Sequence, residues 1–207
     1  MSHKSTLIVL YVVYAVGIIG HLFTPTREYM LMLTPYTLLL TGGIVLSKVL
    51  PHNITLVKWI VIVYIVTFAL EVFGVKTGLL FGSYEYGDVL GPKLFETPLI
   101  IGFNWVLVIL GGVLLSSKFI SNNFLIVLFT PLLTVLFDFF LEPVAIKLNY
   151  WMWFRGEIPV QNYLAWYAIS LLAVFFFMQS KIEVKSTIPI HYFAIQIFFF
   201  LSLNIML

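Results

Sequence analysis

Seven uninterrupted apolar runs constrain this chain more than any other feature. They cover residues 6–23, 30–47, 57–75, 98–117, 123–146, 162–180 and 188–207. Each is close to the ~20 residues a helix needs to cross a bilayer core. β-Barrel strands are ~10-residue segments of alternating polarity, and these runs are longer and continuous. The expected fold is therefore all-α, a polytopic membrane helix bundle of about seven transmembrane helices, with residues 1–207 as one integral membrane domain. Lys4 precedes the first run as in a signal peptide, but no small-residue cleavage site follows, so that run is read as a retained helix. Pro35 is expected to kink the second run, and Pro143 to strain or break the fifth.

Composition agrees. Charged residues make up 10 % of the chain and hydrophobic ones 61 %, against ~25 % charged in an ordinary soluble domain. A net charge of +2 gives no reason to expect a nucleic-acid partner, and zero cysteines exclude thiolate catalysis, iron–sulfur clusters and Cys-ligated zinc. Four scattered histidines, His3, His21, His52 and His191, are too few for a His-rich di-iron centre. The seventh run has no lysine to carry a retinal Schiff base. The stretch from Gly78 to Lys93 lacks the Gly-Lys-Ser/Thr of a phosphate loop. No metal site and no cofactor are expected.

In so apolar a chain every charge calls for a reason. Lys4, Lys48, Lys58, Lys118, Lys181 and Lys185 fall on the face that holds the N-terminus. Arg27, Lys76, Lys93, Lys147 and Arg155 fall on the other. This near-even split leans only weakly to a cytoplasmic N-terminus. The acids are lopsided. Of nine, only Glu183 falls on the N-terminal face, while Glu28, Glu71, Glu85, Asp88, Glu96, Asp138, Glu142 and Glu157 gather on or just below the opposite one.

Three of these acids lie inside apolar runs. Glu71 is four residues from the end of its run, ~6 Å deep at 1.5 Å per residue. Asp138 and Glu142 are spaced i, i+4 and share a helix face if the helix continues through Pro143. Carboxyl groups withdrawn from water and from cations hold a proton more tightly, which suits a general acid. The plainer alternative is that Lys76, Lys93, Lys147 or Arg155 pairs with them and merely ties helices together. Around them lie Tyr84 and Tyr86, Asn104-Trp105, Trp151 and Trp153, Asn162 and Trp166. These rings are either an interfacial aromatic belt or a wall that stabilises a cation.

Two stretches also carry a resemblance. One runs from Glu71-Val-Phe-Gly-Val-Lys-Thr-Gly78 through Phe81-Gly82-Ser83-Tyr84-Glu85-Tyr86, Asp88 and Leu90-Gly91-Pro92-Lys93 to Trp105. The other is Asp138-Phe-Phe-Leu-Glu142-Pro143-Val144, followed by Tyr150-Trp151-Met152-Trp153, Pro159, Asn162 and Trp166. Together they resemble the membrane carotenoid hydratases over roughly residues 70–170. The chain has Glu142-Pro143 where that pattern has Asp-Pro.

The resemblance implies addition of water to the terminal C1,C2 double bond of an acyclic (ψ) carotenoid end, giving a tertiary alcohol without a cofactor. Asp138 or Glu142 would donate the proton with Glu71 as partner, and Asp88 and Asn162 are the next candidates. Tyr84, Tyr86, Asn104, Trp105, Trp151, Trp153 and Trp166 would bind the substrate end. The implied partners are an acyclic or monocyclic carotenoid, water, membrane lipid and neighbouring carotenoid enzymes, in a prokaryotic cytoplasmic membrane. Two rivals are a lycopene-cyclase-like enzyme, which would protonate the same end but close a ring, and a carotenoid- or lipid-binding bundle with no chemistry.

Overall fold

A computed structural model describes residues 1–51 and 53–207, so His52 lies outside the described residues. Among the described residues there are seven α-helices: α1 (His3–Leu22), α2 (Thr24–Ser47), α3 (Ile54–Thr77), α4 (Ile100–Phe119), α5 (Asn123–Lys147), α6 (Val160–Gln179) and α7 (Ile188–Met206). All seven are long and apolar enough to cross a membrane. Their outward residues are large and apolar, among them Met32, Leu40, Ile62 and Phe198, as the lipid-facing side of a bundle requires.

The most buried helix is α4, which packs against α2, α3, α5, α6 and α7. Lipid supplies no hydrophobic force between helices, so close approach depends on small residues. Gly111 supplies it here, since a Cβ at that position would stand 2.5 Å from Phe193 Cβ and 2.9 Å from the Pro189 carbonyl. The strongest remaining pairings are α5 with α6 and α1 with α7.

None of the three internal prolines ends its helix. Pro35 lies within α2, and α5 runs through both Pro131 and Pro143. The break expected at Pro143 is therefore absent. The helix tolerates one missing backbone N–H there and continues to Lys147. Asp138 then sits nine residues, or ~14 Å, from the helix end instead of in its last turn. Similarly, α3 extends to Thr77, which places Glu71 ~9 Å deep.

The two long connections form a small β-structure. Strand β1 (Tyr84–Tyr86) pairs antiparallel with β4 (Trp151–Trp153), in the register Tyr84 with Trp153, Glu85 with Met152 and Tyr86 with Trp151. Phe154 N–H to the Ser83 carbonyl and Gly87 N–H to the Tyr150 carbonyl extend the ladder at its two ends. Gly87 is required at its end, because a Cβ would meet the Asn149 carbonyl oxygen at 2.1 Å. A second pair, β2 (Lys93–Leu94) with β3 (Thr97–Pro98), turns through Phe95 and Glu96, both at positive φ.

Candidate active site

Side chains alternate across a strand. In β1 and β4 this buries Tyr84, Tyr86, Trp151 and Trp153 and exposes Glu85 and Met152. Four ring-borne donors thus face inward from one ribbon. They meet Glu71, Asp138 and Glu142, the only buried acids or bases among the described residues apart from His21.

The donors are shared out by strand. Glu71 accepts from both tyrosines of β1: Tyr84 Oη to Oε2 at 2.6 Å and Tyr86 Oη to Oε2 at 2.8 Å. Its other oxygen, Oε1, accepts from Trp105 Nε1 at 2.8 Å. Glu142 accepts from both tryptophans of β4, Nε1 of Trp151 and of Trp153 each lying 2.9 Å from Oε2. Asn162, in the first turn of α6, connects the remaining acids. Its Nδ2 donates to Asp138 Oδ2 at 2.6 Å and to Glu142 Oε1 at 3.1 Å.

Glu71 and Glu142 therefore each receive three donors, which satisfy both oxygens of each carboxyl. Asp138 differs. Among the described residues nothing donates to its Oδ1, which leaves that oxygen as the place where an O–H fits. No cation neutralises the cluster either. The one ion pair among the described residues is Lys93 to Asp88 at 2.8 Å, at the surface. The pairing of embedded acids with lysine or arginine, weighed above as the plainer alternative, is not formed.

Burial and the neighbouring Glu71 push the hydroxyls of Tyr84 and Tyr86 well above the usual tyrosine range, so both remain O–H donors. Burial also pushes Tyr150 up, to about 12.

The three acids, the four ribbon aromatics, Asn104, Trp105, Asn162 and Trp166 all line one cavity of about 60 Å³. Trp105 and Trp166 stack with centroids 3.7 Å apart and 19° between their planes, and Trp105 is thereby held edge-on to Glu71. Asn104 borders the cavity without a hydrogen-bond partner among the described residues. Of the candidate residues, only Asp88 stands apart. It is fully exposed, and the Lys93 ammonium holds its carboxyl below the usual carboxylate range. Lys93 Nζ also donates to the Tyr86 carbonyl at 2.8 Å, so this pair steadies the ribbon from outside.

Leu38, Phe81, Leu90, Ile100, Ile101, Leu141, Tyr150 and Phe200 complete the wall and were not among the candidates. Tyr150 was within sight, since it belongs to the Tyr150-Trp151-Met152-Trp153 stretch. Nothing in the local pattern marks Leu38 or Phe200, which reach the cavity from helices remote in sequence.

Fold and site together define a polytopic α-helical membrane protein with a desolvated cluster of three carboxyls in an aromatic cavity. Residues 32–207 match the family of carotenoid biosynthesis proteins, and the chain belongs to that family. It is 31 % identical over 120 residues to the bisanhydrobacterioruberin hydratase of Haloarcula japonica, an alignment that covers 54 % of this chain and 41 % of that protein. The match thus spans less than half the length of that relative. No solved structure matches the chain.

Proposed function

We propose that this protein adds water to the terminal C1,C2 double bond of an acyclic carotenoid end. The observation that carries the reading is the Asn162 amide between Asp138 and Glu142, which leaves Asp138 Oδ1 free of donors in an aromatic cavity. Asp138 gives its proton to C2, and the π electrons of the double bond form the new C–H bond. The tertiary cation left at C1 lies among the π faces of Trp105, Trp153, Trp166 and Tyr84, which is worth ~2 kcal/mol or more in a desolvated site. The Asp138 carboxylate left by proton donation acts in the same direction.

A water oriented by Asn104 and the Asn162 carbonyl oxygen forms the C–O bond at C1. Its surplus proton passes to Glu142, and return of that proton to Asp138 completes the cycle. The sum is alkene plus water to tertiary alcohol, so no cofactor enters the balance. The name of the Haloarcula relative favours hydration over ring closure.

The position of the acids suits such a substrate. A carotenoid is about as long as the ~30 Å hydrocarbon core, so its end reaches one leaflet boundary, where water is at hand. Expression in a host that makes lycopene or γ-carotene, followed by mass analysis of the pigments, tests the proposal. A product heavier by one water is expected. A ring isomer of unchanged mass would identify a cyclase, and unchanged pigment would remove the enzymatic reading.

A further inference from the structure

The acid cavity, at about 60 Å³, has room for a few waters and not for a long chain. A substrate that places its end there needs an adjoining space for the rest. Two side cavities share wall residues with the acid cavity, one on each side of α2. A larger groove between α3 and α6, of about 500 Å³, shares none.

The first side cavity, of about 270 Å³, lies between α1, α2 and α7 and meets the acid cavity at Leu38, Tyr150 and Phe200. Its wall carries the polar side chains of Tyr14, His21, Thr34, Thr37 and Gln196. The second, of about 320 Å³, lies between α2, α3, α4 and the loop that follows β1. It meets the acid cavity at Leu90 and Ile100. The only polar side-chain atoms on its wall are the hydroxyls of Tyr36 and Tyr64, and Tyr64 already donates to the Leu99 carbonyl at 3.0 Å. A hydrocarbon chain offers no hydrogen bond, so it belongs against the wall with the fewest polar groups to strand.

Exposure grades along this second cavity. Leu90 and Ile100, at the acid end, are buried, whereas Tyr36, Leu39 and Leu99 are 64 %, 54 % and 39 % exposed. On the flank of a membrane bundle that exposure is to lipid, so the cavity opens toward lipid and ends at the wall of the acid cavity. It also extends the way a chain would run. Tyr64 precedes Glu71 by seven residues on α3 and lies ~10 Å farther from the acid-bearing face, toward the middle of the bilayer.

We propose that this cavity is the side entrance for a lipid-dissolved isoprenoid and holds the stretch of chain next to the reacting end. Leu90 and Ile100 form the threshold that the end crosses to reach the carboxyls. Tyr36, Tyr64 and Phe103 give the entrance aromatic surface for a flat conjugated chain. That the chain is a carotenoid's rests on the hydratase reading.

Lycopene is achiral, so it gains a circular-dichroism band in the visible when a protein holds it in an asymmetric site. Titrating the detergent-solubilised Asp138→Asn protein with lycopene should produce such a band, because this variant keeps the cavities and turns the pigment over little. Leu39→Trp and Leu99→Trp, each added to that background, fill the entrance from positions that are already exposed. Each should weaken binding about tenfold or more, with helicity retained in the far ultraviolet. Leu33→Trp, on the exposed wall of the first side cavity, should leave binding within about twofold. If one entrance variant does not fold, the other decides. Absence of any band, a band that the entrance variants leave intact, or one lost in Leu33→Trp instead would overturn the proposal. Binding is read here without turnover. Failure of this test with pigment hydration intact removes the entrance alone, and the expected binding pattern with unchanged pigment in the expression test removes the hydratase reading alone.

Discussion

Glu71 on α3 and Glu142 on α5 each accept from two ring donors that lie two residues apart on a single strand, tyrosines of β1 for the first and tryptophans of β4 for the second. Burying a carboxyl without partners is costly, and the short ribbon supplies donors that offset this cost at both glutamates. The ribbon and the acids therefore depend on each other. A donor without its acid, or an acid without its donors, leaves a polar group buried and unpaired.

That dependence is measurable at Trp151. Trp151→Phe keeps an aromatic ring but removes one of the donors to Glu142, and should destabilise the detergent-solubilised protein by about 1–3 kcal/mol. In Glu142→Gln the same substitution should cost less, giving a coupling energy of about 0.5–3 kcal/mol in a double-mutant cycle. Additive losses by chemical denaturation would contradict the link between strand and acid.

Asp138→Asn preserves the shape of the side chain and removes the transferable proton. Hydration measured in membranes supplied with the carotene should fall by about 10²–10⁴-fold, the range for loss of a general acid. Protein level and helicity should be retained. Glu142→Gln should also impair turnover, since the proposed base is lost. Full activity in both would remove the acid–base account.

Asp88→Asn should behave differently. The residue is exposed and its hydrogen-bond partner among the described residues is Lys93, and surface changes of this kind stay within about 0.5 kcal/mol, or roughly twofold in rate. A collapse of hydration in Asp88→Asn would return this residue to the site.

Alkaline titration probes the ribbon from another direction. In the folded protein Tyr84 and Tyr86 lose their protons well above the usual range, and Tyr150 near 12. Unfolded tyrosines ionise near ~10. The stabilisation from these groups is fully present below the unfolded value and is lost as pH rises toward the folded ones, because the unfolded state releases protons first. Stability should therefore decline above about pH 10. Tyrosinate absorbance should show these three rings ionising only with unfolding. Replacing all three by Phe should flatten that decline.

Much of this was legible in the sequence. The apolar runs mark the seven helices to within a few residues, apart from α2, which starts six residues earlier at Thr24. That extension is a polar first turn, Thr24-Pro25-Thr26-Arg27, which hydropathy alone does not count as membrane. The acids, Asn162 and the rings are visible as rare polar or amphipathic groups in an apolar chain, and the cavity gathers them.

The ribbon was not legible. Tyr84-Glu85-Tyr86 and Trp151-Met152-Trp153 alternate as strands do, but three residues are too few to show a period, and their pairing joins segments far apart in the chain. The continuation of α5 through Pro143 was undetermined as well. A single proline disfavours a helix locally, while the packing of α5 against α4, α6 and α7 acts along its whole length. The exposure of Asp88 is a third case, for it depends on how its loop folds back onto Lys93.

The central claim is that a carboxyl of this cluster protonates the carotenoid end and that water completes the addition. Running the reaction in membranes suspended in heavy water that also carries labelled oxygen, and locating both labels, tests this most directly. The account predicts an alcohol with one non-exchangeable deuterium at C2 and its hydroxyl oxygen drawn from water, and at least about 10²-fold less of it from Asp138→Asn. A tertiary alcohol without deuterium at C2, or one whose oxygen does not come from water, would contradict it.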